Sequence, residues 1–129
     1  MRYTQVMEIL RILLQVVVAL GILNVWLLRS GKTTPYRGGE ARNMREEFEA
    51  YGLPAAMVWV VGVLKVSLAL ALLAGIWFPA LVQPAAAGLG LLMLGALSMH
   101  LKVKDPLKKA VPSILVLVMC VLIVVLVSI

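Results

Sequence analysis

Four long apolar runs constrain this chain more than any other feature of it. A hydrocarbon core about 30 Å thick takes about 20 apolar residues in a helix. Four stretches meet that length: about Gln5 to Leu28, Pro54 to Ile76, Pro79 to His100, and Pro112 to Ile129. In 129 residues, 63% are hydrophobic and 14% charged, an apolar excess that a soluble domain of this size has no interior to hold. The expected fold is all-α: one membrane domain over residues 1–129, an integral membrane four-helix bundle with a short interfacial amphipathic helix in its first loop. The first run ends on Trp26 and Arg29 without a small-x-small site, so it reads as a span and not as a signal peptide.

Punctuation agrees with this division. Pro54, Pro79 and Pro112 sit near expected helix starts, where a missing N–H has no partner to lose. Pro84 lies about one turn inside the third span. Only a few residues around Trp77 and Phe78 join the second and third spans, which must therefore form an antiparallel hairpin. Trp26, Tyr51 and Trp59 are expected in the aromatic belt of one membrane face, and Tyr3, Trp77 and Phe78 in that of the other.

The net charge is +6. In a soluble protein that would suggest nucleic acid, but here the basic residues flank the apolar runs, as topology determinants do. Arg29, Lys32, Arg37, Arg42, Arg45, Lys102, Lys104, Lys108 and Lys109 fall on one face; Arg2, and Arg11 slightly inside the membrane, fall on the other. The positive-inside rule then places both basic loops in the cytoplasm and both termini outside, in a bacterial inner membrane. Cys120 is the one cysteine, which excludes an intramolecular disulfide, a CxxC pair and a cysteine zinc site. His100 is the one histidine, so a bis-histidine haem site would need a second subunit.

The first loop, about residues 30–53, is the only one long enough to carry structure. Its "SGKTTPYRGG" is turn chemistry, and a short helix is expected over about 40–51. Ala41, Met44, Phe48 and Tyr51 form one apolar stripe, Gly52 is a C-terminal cap, and Arg42–Glu46 and Arg45–Glu49 are i,i+4 pairs. Such a helix lies on the membrane face. It either covers the bundle or acts as a lid over a cavity between the helices.

Charged and polar side chains at membrane depth usually face protein or a wet cavity, which makes them the candidate ligand-binding residues. In the first span these are Glu8, Arg11 and Gln15, spaced to share one helical face; Glu8 and Arg11 can pair directly. Lys65 lies roughly 16 Å into its helix, too deep to snorkel from a lipid-facing position, so it should point inward. Gly62 and Ala69 share its face and permit close helix approach. Equal depth suggests a polar core in which Lys65 approaches Gln15, with Glu8 reachable through water. His100 ends the third span at about the depth of Asn24, a membrane's width from Glu8. It is either a satisfied interfacial histidine or a group for proton transfer or quinone contact. The third span is rich in small residues, with Ala86–Gly90 and Gly88–Gly95 as packing pairs for the bundle or for a dimer.

"FEAYGLP" before the second span, "VGVLKVSLALALLAGIWFP" within it and "MLGALSMHLKVKDPLKKAVPSILVL" across the last two together resemble the DoxX-like family of small four-helix membrane proteins. The resemblance covers about residues 48–120 and extends loosely over the first span. It implies a four-helix bundle. Some members are similar to the small subunit of a thiosulfate:quinone oxidoreductase, and others are linked to oxidative-stress membrane complexes.

Three functions fit these residues. The first is a subunit or accessory protein of a membrane redox system, binding a quinone or lipid-like ligand through Lys65, Gln15 and His100. The chain carries no flavin, haem or iron–sulfur motif, so electrons would come from a partner. The second is a structural subunit of a larger membrane complex, joined to other subunits or to itself through small-residue faces. The third is a small proton-coupled transporter using Glu8. No nucleophile–base constellation is visible, which favours a partner-dependent role over an autonomous enzyme.

Overall fold

Hydrocarbon offers no water to backbone polar groups, so a chain that crosses it must satisfy them within helices or a closed barrel. The computed structural model describes residues 3–128, and four helices in it are long and apolar enough to cross. Helix α1, Tyr3–Leu23, runs on through one π-helical turn, Asn24–Leu28. A short helix α2, Met44–Ala50, follows in the first loop. Helix α3 is Ala56–Ala74, a 3₁₀ turn at Pro79–Leu81 leads into α4, Val82–Lys102, and α5 is Leu107–Ser128. Arg2 and Ile129, used in the charge count and the fourth span, lie outside the described residues, as does the Tyr3 ring.

The four long helices close a ring in which α1 and α4 each pack against both α3 and α5. Small and branched side chains meet inside: Val18, Ala19 and Ile22 of α1, Ala69 and Leu72 of α3, Ala86 and Leu89 of α4, Cys120 and Ile123 of α5. The outward faces carry exposed Leu13, Leu20, Val63, Leu70, Val118 and Val121, the apolar wall that lipid requires. Lipid solvates such side chains as well as a neighbouring helix would, so association rests on close packing, which small residues permit. A Cβ on Gly90 would lie 3.7 Å from Cys120 Cβ, and one on Gly88 would lie 3.0 Å from Leu68. These two glycines therefore serve the bundle, whereas Gly95 has open space beside it.

Several boundaries move. The last helix begins at Leu107, not near Pro112, which lies inside it. Pro106 supplies the helix start, its carbonyl accepting from Lys109 N–H at 3.0 Å. Pro84 is the third residue of α4, within the first turn, where N–H groups have no intrahelical partner. Trp26 and Tyr51 leave the expected belt and turn toward the protein, while Trp59, Trp77 and Phe78 remain exposed at 77%, 73% and 65%.

The loop helix is shorter than the apolar stripe suggests because Asn43 caps it. Asn43 Oδ1 accepts the Glu46 N–H at 2.8 Å, and the Glu46 carboxylate reaches back to the Arg42 N–H at 3.1 Å, a reciprocal capping arrangement. That Arg42 N–H is the main cause holding the Glu46 carboxyl below its ordinary value. At the other end, Gly52 (φ +78°) donates to Glu49 O and Leu53 to Phe48 O, each at 3.0 Å, the paired bonds of a Schellman ending. The i,i+4 pairs Arg42–Glu46 and Arg45–Glu49 are present at 3.5 Å. The stripe faces the bundle, not the membrane surface: Met44, Phe48 and Tyr51 are buried against Trp26, Met57, Val61 and Met99.

Gly52→Ala forces a Cβ into the left-handed region and should cost about 1 kcal/mol, read as a lower thermal midpoint in detergent. Gly21→Ala, whose Cβ would meet nothing within 4 Å, should leave the midpoint unchanged or slightly raised.

Candidate functional site

The π-helical turn is the local event that builds the site. It takes one residue more per turn than an α-helix, and Trp26 within it packs against the interior. Gly62 on α3 makes room, because a Cβ there would lie 2.9 Å from the indole. The ring sits over the Lys65 ammonium, 5.5 Å from centroid to Nζ, within cation–π range. It also meets Phe48 of α2 edge-on at 6.1 Å.

Lys65 is 9% exposed. Among the described residues no carboxylate pairs with its Nζ and no acceptor is hydrogen-bonded to it. Yet no fully buried side-chain nitrogen or oxygen lacks a partner. Nζ is therefore reached from open space, and that space is a cavity of about 770 Å³ lined by Lys65, Trp26, Phe48, Tyr51 and His100 together with apolar residues of α1, α4 and α5. Exposed Val17 and Val25 of α1 also line it, which opens it at the side of the bundle.

Two carboxylates with buried side chains stand near its α2 end, Glu47 in the lining and Asp105 beside His100. Glu47 pairs with Arg37 at 3.1 Å, and accepts the Gly38 N–H at 3.0 Å and the Tyr51 hydroxyl at 2.7 Å. Arg37 also donates to the carbonyls of Arg29 and Lys32 at 2.5 and 3.1 Å, which folds the irregular loop down. Gly38 is required there, because a Cβ would collide with the Tyr51 ring. Burial first, and then the Glu47 charge, push the Tyr51 phenol well above its ordinary range. Asp105 accepts from the Gly39 N–H at 3.0 Å and meets His100 Nδ1 at 2.8 Å, while Lys109 approaches it at 3.9 Å and donates to Gly39 O. Lys102 donates to Tyr51 O at 2.8 Å. His100 stands edge-on to Tyr51 at 5.9 Å. With Nδ1 held by Asp105, its Nε2 is the nitrogen left for the cavity.

The five residues singled out in the sequence separate into three places. Lys65 and His100 line the cavity of about 770 Å³. Gln15 is fully buried elsewhere, its Nε2 donating to Leu72 O at 2.8 Å and its Oε1 accepting from Arg11 at 2.5 Å. Glu8 and Arg11 line a separate hollow of about 270 Å³ with Thr4, Met7 and Pro79; the two can pair by spacing, but Arg11 bonds Gln15 instead. Lys65 and Gln15 do not meet, because the two contacts that set the α1–α3 register keep them apart. Trp26 lies at Gly62 and Gln15 at Leu72, seven residues beyond Lys65.

Arg37, Glu47, Asp105 and Tyr51 complete the site and are absent from the sequence-based candidates. Glu47 had a signal: it falls three residues after Met44 and four before Tyr51, on the buried stripe.

A model of the DoxX-like family matches residues 16–123. The chain belongs to the DoxX-like family. No curated protein and no solved structure matches it. In this DoxX-like chain the matched region takes in residues 16–23 of α1, the loop cover and all of the cavity's lining, and the whole is an integral membrane four-helix protein in a lipid bilayer.

Glu47→Leu leaves Arg37 buried without its counter-ion and should cost about 3 kcal/mol, seen as a thermal midpoint lower than that of an exposed-pair variant such as Glu49→Ala. Tyr51 supplies a pH test. Its folded pKa is raised, so its contribution is complete below the unfolded value of about 10 and is lost as pH rises above it. Unfolding followed from pH 8 to 11 should show alkaline destabilisation that Tyr51→Phe, itself about 1 kcal/mol weaker at neutral pH, reduces.

Proposed function

We propose that this DoxX-like membrane protein holds a lipid-soluble ligand, a quinone or lipid-like molecule, between its helices, and acts as a subunit or accessory protein of a membrane redox system. One observation carries the reading: the side-opening cavity of about 770 Å³ has a lysine in its wall whose Nζ has no acceptor among the described residues. Its size is that of small-molecule sites, which combine apolar walls with a few placed polar groups. Lys65 donates to the ligand's polar head from one side and His100, oriented by Asp105, serves it at the α2 end. Glu47, Arg37 and Tyr51 hold the cover at the α2 end of the cavity. Gln15 is assigned to helix packing, and Glu8 and Arg11 to the far end. Where the ligand is a quinone, it would exchange electrons with a partner subunit.

The charge distribution supports the basic loops, and with them α2, on the cytoplasmic side of a bacterial inner membrane and both termini outside. Reporter fusions at residue 3 and residue 128 should both give the periplasmic signal.

Protein purified in mild detergent should yield a co-purifying lipid-soluble molecule on solvent extraction, and added quinone or lipid should raise its thermal midpoint. Lys65→Met should fold, with a midpoint within a few degrees of the parent, and lose the ligand-induced rise. A preparation that is empty on extraction and unresponsive to every added lipid or quinone overturns the reading.

A further inference from the structure

The cavity's charges do not balance. Arg29, Arg37, Lys65 and Lys109 line it with a single carboxylate, Glu47. That carboxylate is fully engaged: one oxygen pairs with Arg37 and the other takes the Gly38 N–H and the Tyr51 hydroxyl. Lys109 is matched by Asp105, and Arg29 is exposed at the rim. Lys65 is deep, feels Glu47 only through space, and has no ion pair or hydrogen bond among the described residues. Trp26 covers one side of its ammonium, so the side left open faces the cavity. An ion taken out of water without a counter-ion is costly by several kcal/mol. A partner that brings the missing negative charge gains most by entering.

The walls beyond Lys65 are apolar, with Ile22, Leu92, Met93, Val116 and Met119 among the lining residues. We propose that the cavity takes a single-chain amphiphilic carboxylic acid, its carboxylate on Lys65 Nζ and its chain along these walls toward the side opening at Val17. The inference rests on the cavity being a lipid-soluble ligand's site and narrows the head group to an acid. Protons balance in either entry form. An ammonium meets a carboxylate, or an amine meets a carboxylic acid that passes its proton to Nζ, and the same ion pair results. A neutral quinone or an ester offers only an acceptor oxygen and leaves the charge unmatched.

Full-length protein in nanodiscs of zwitterionic lipid separates the two levels of the reading. Binding of dodecanoic acid, of its methyl ester and of a short-chain neutral quinone is measured on wild type, Lys65→Met and Lys65→Arg. Hydrogen bonding to a charged partner predicts that wild type binds the acid at least about tenfold more tightly than the ester. Lys65→Met should lose that preference, binding the acid no more tightly than the ester, and Lys65→Arg should keep it. If ester or quinone binds wild type as tightly as the acid, or Lys65→Met retains the preference, the acid inference fails and the cavity reading stands. If none of the three binds wild type, both fail. The wild-type comparison of acid with ester decides the matter even where a variant does not fold.

Discussion

The Glu47 carboxylate is the group on which the α2 end of the protein depends. It is one of two buried carboxylates in a basic region, and it gathers an arginine and the next N–H of the loop together with a phenol one turn along α2. Without it Arg37 has no reason to fold under the loop, and the loop has nothing to hold it against α2. A short helix of seven residues is not stable alone in water. Here it is fixed by an asparagine cap at one end, a glycine at the other, and a buried carboxylate between.

Because its oxygens are engaged by this cover, Glu47 acts on Lys65 only through space and forms no ion pair with it. The cover thus leaves a cation in the wall of a hollow that is otherwise oily, and Trp26 shields it from the neighbouring helix. Asp105 repeats the pattern at the α4–α5 connection, where it joins Gly39, His100 and Lys109 and fixes which imidazole nitrogen is free.

Much of this was legible in the sequence. Helix number, the hairpin, the inward Lys65 with Gly62 and Ala69 on its face, and the Gly52 cap all follow from run length, spacing and turn chemistry. Depth was the weak step. Counting from helix ends puts Lys65 and Gln15 level only if the two antiparallel helices span the same depth, but the first span has 25 residues and the second 19. Their register is set by Trp26 on Gly62 and by Gln15 on Leu72, contacts that no single helix's periodicity reveals. Tyr51 misled for a related reason: an amphipathic ring suits a membrane interface and a protein interior equally well, and only the buried Glu47 beside it decides. Asp105 stood in a short basic loop and gave no periodic signal at all.

The π-helical turn at Asn24–Leu28 has a consequence of its own. Each residue advances an α-helix by about 100°, so the turn works as a one-residue insertion whose product is a rotation. Where the indole aims is encoded in chain length more than in side-chain chemistry. A relative one residue shorter in this turn, though it kept every cavity-lining side chain, would swing its tryptophan out toward lipid and leave the amine with no aromatic roof.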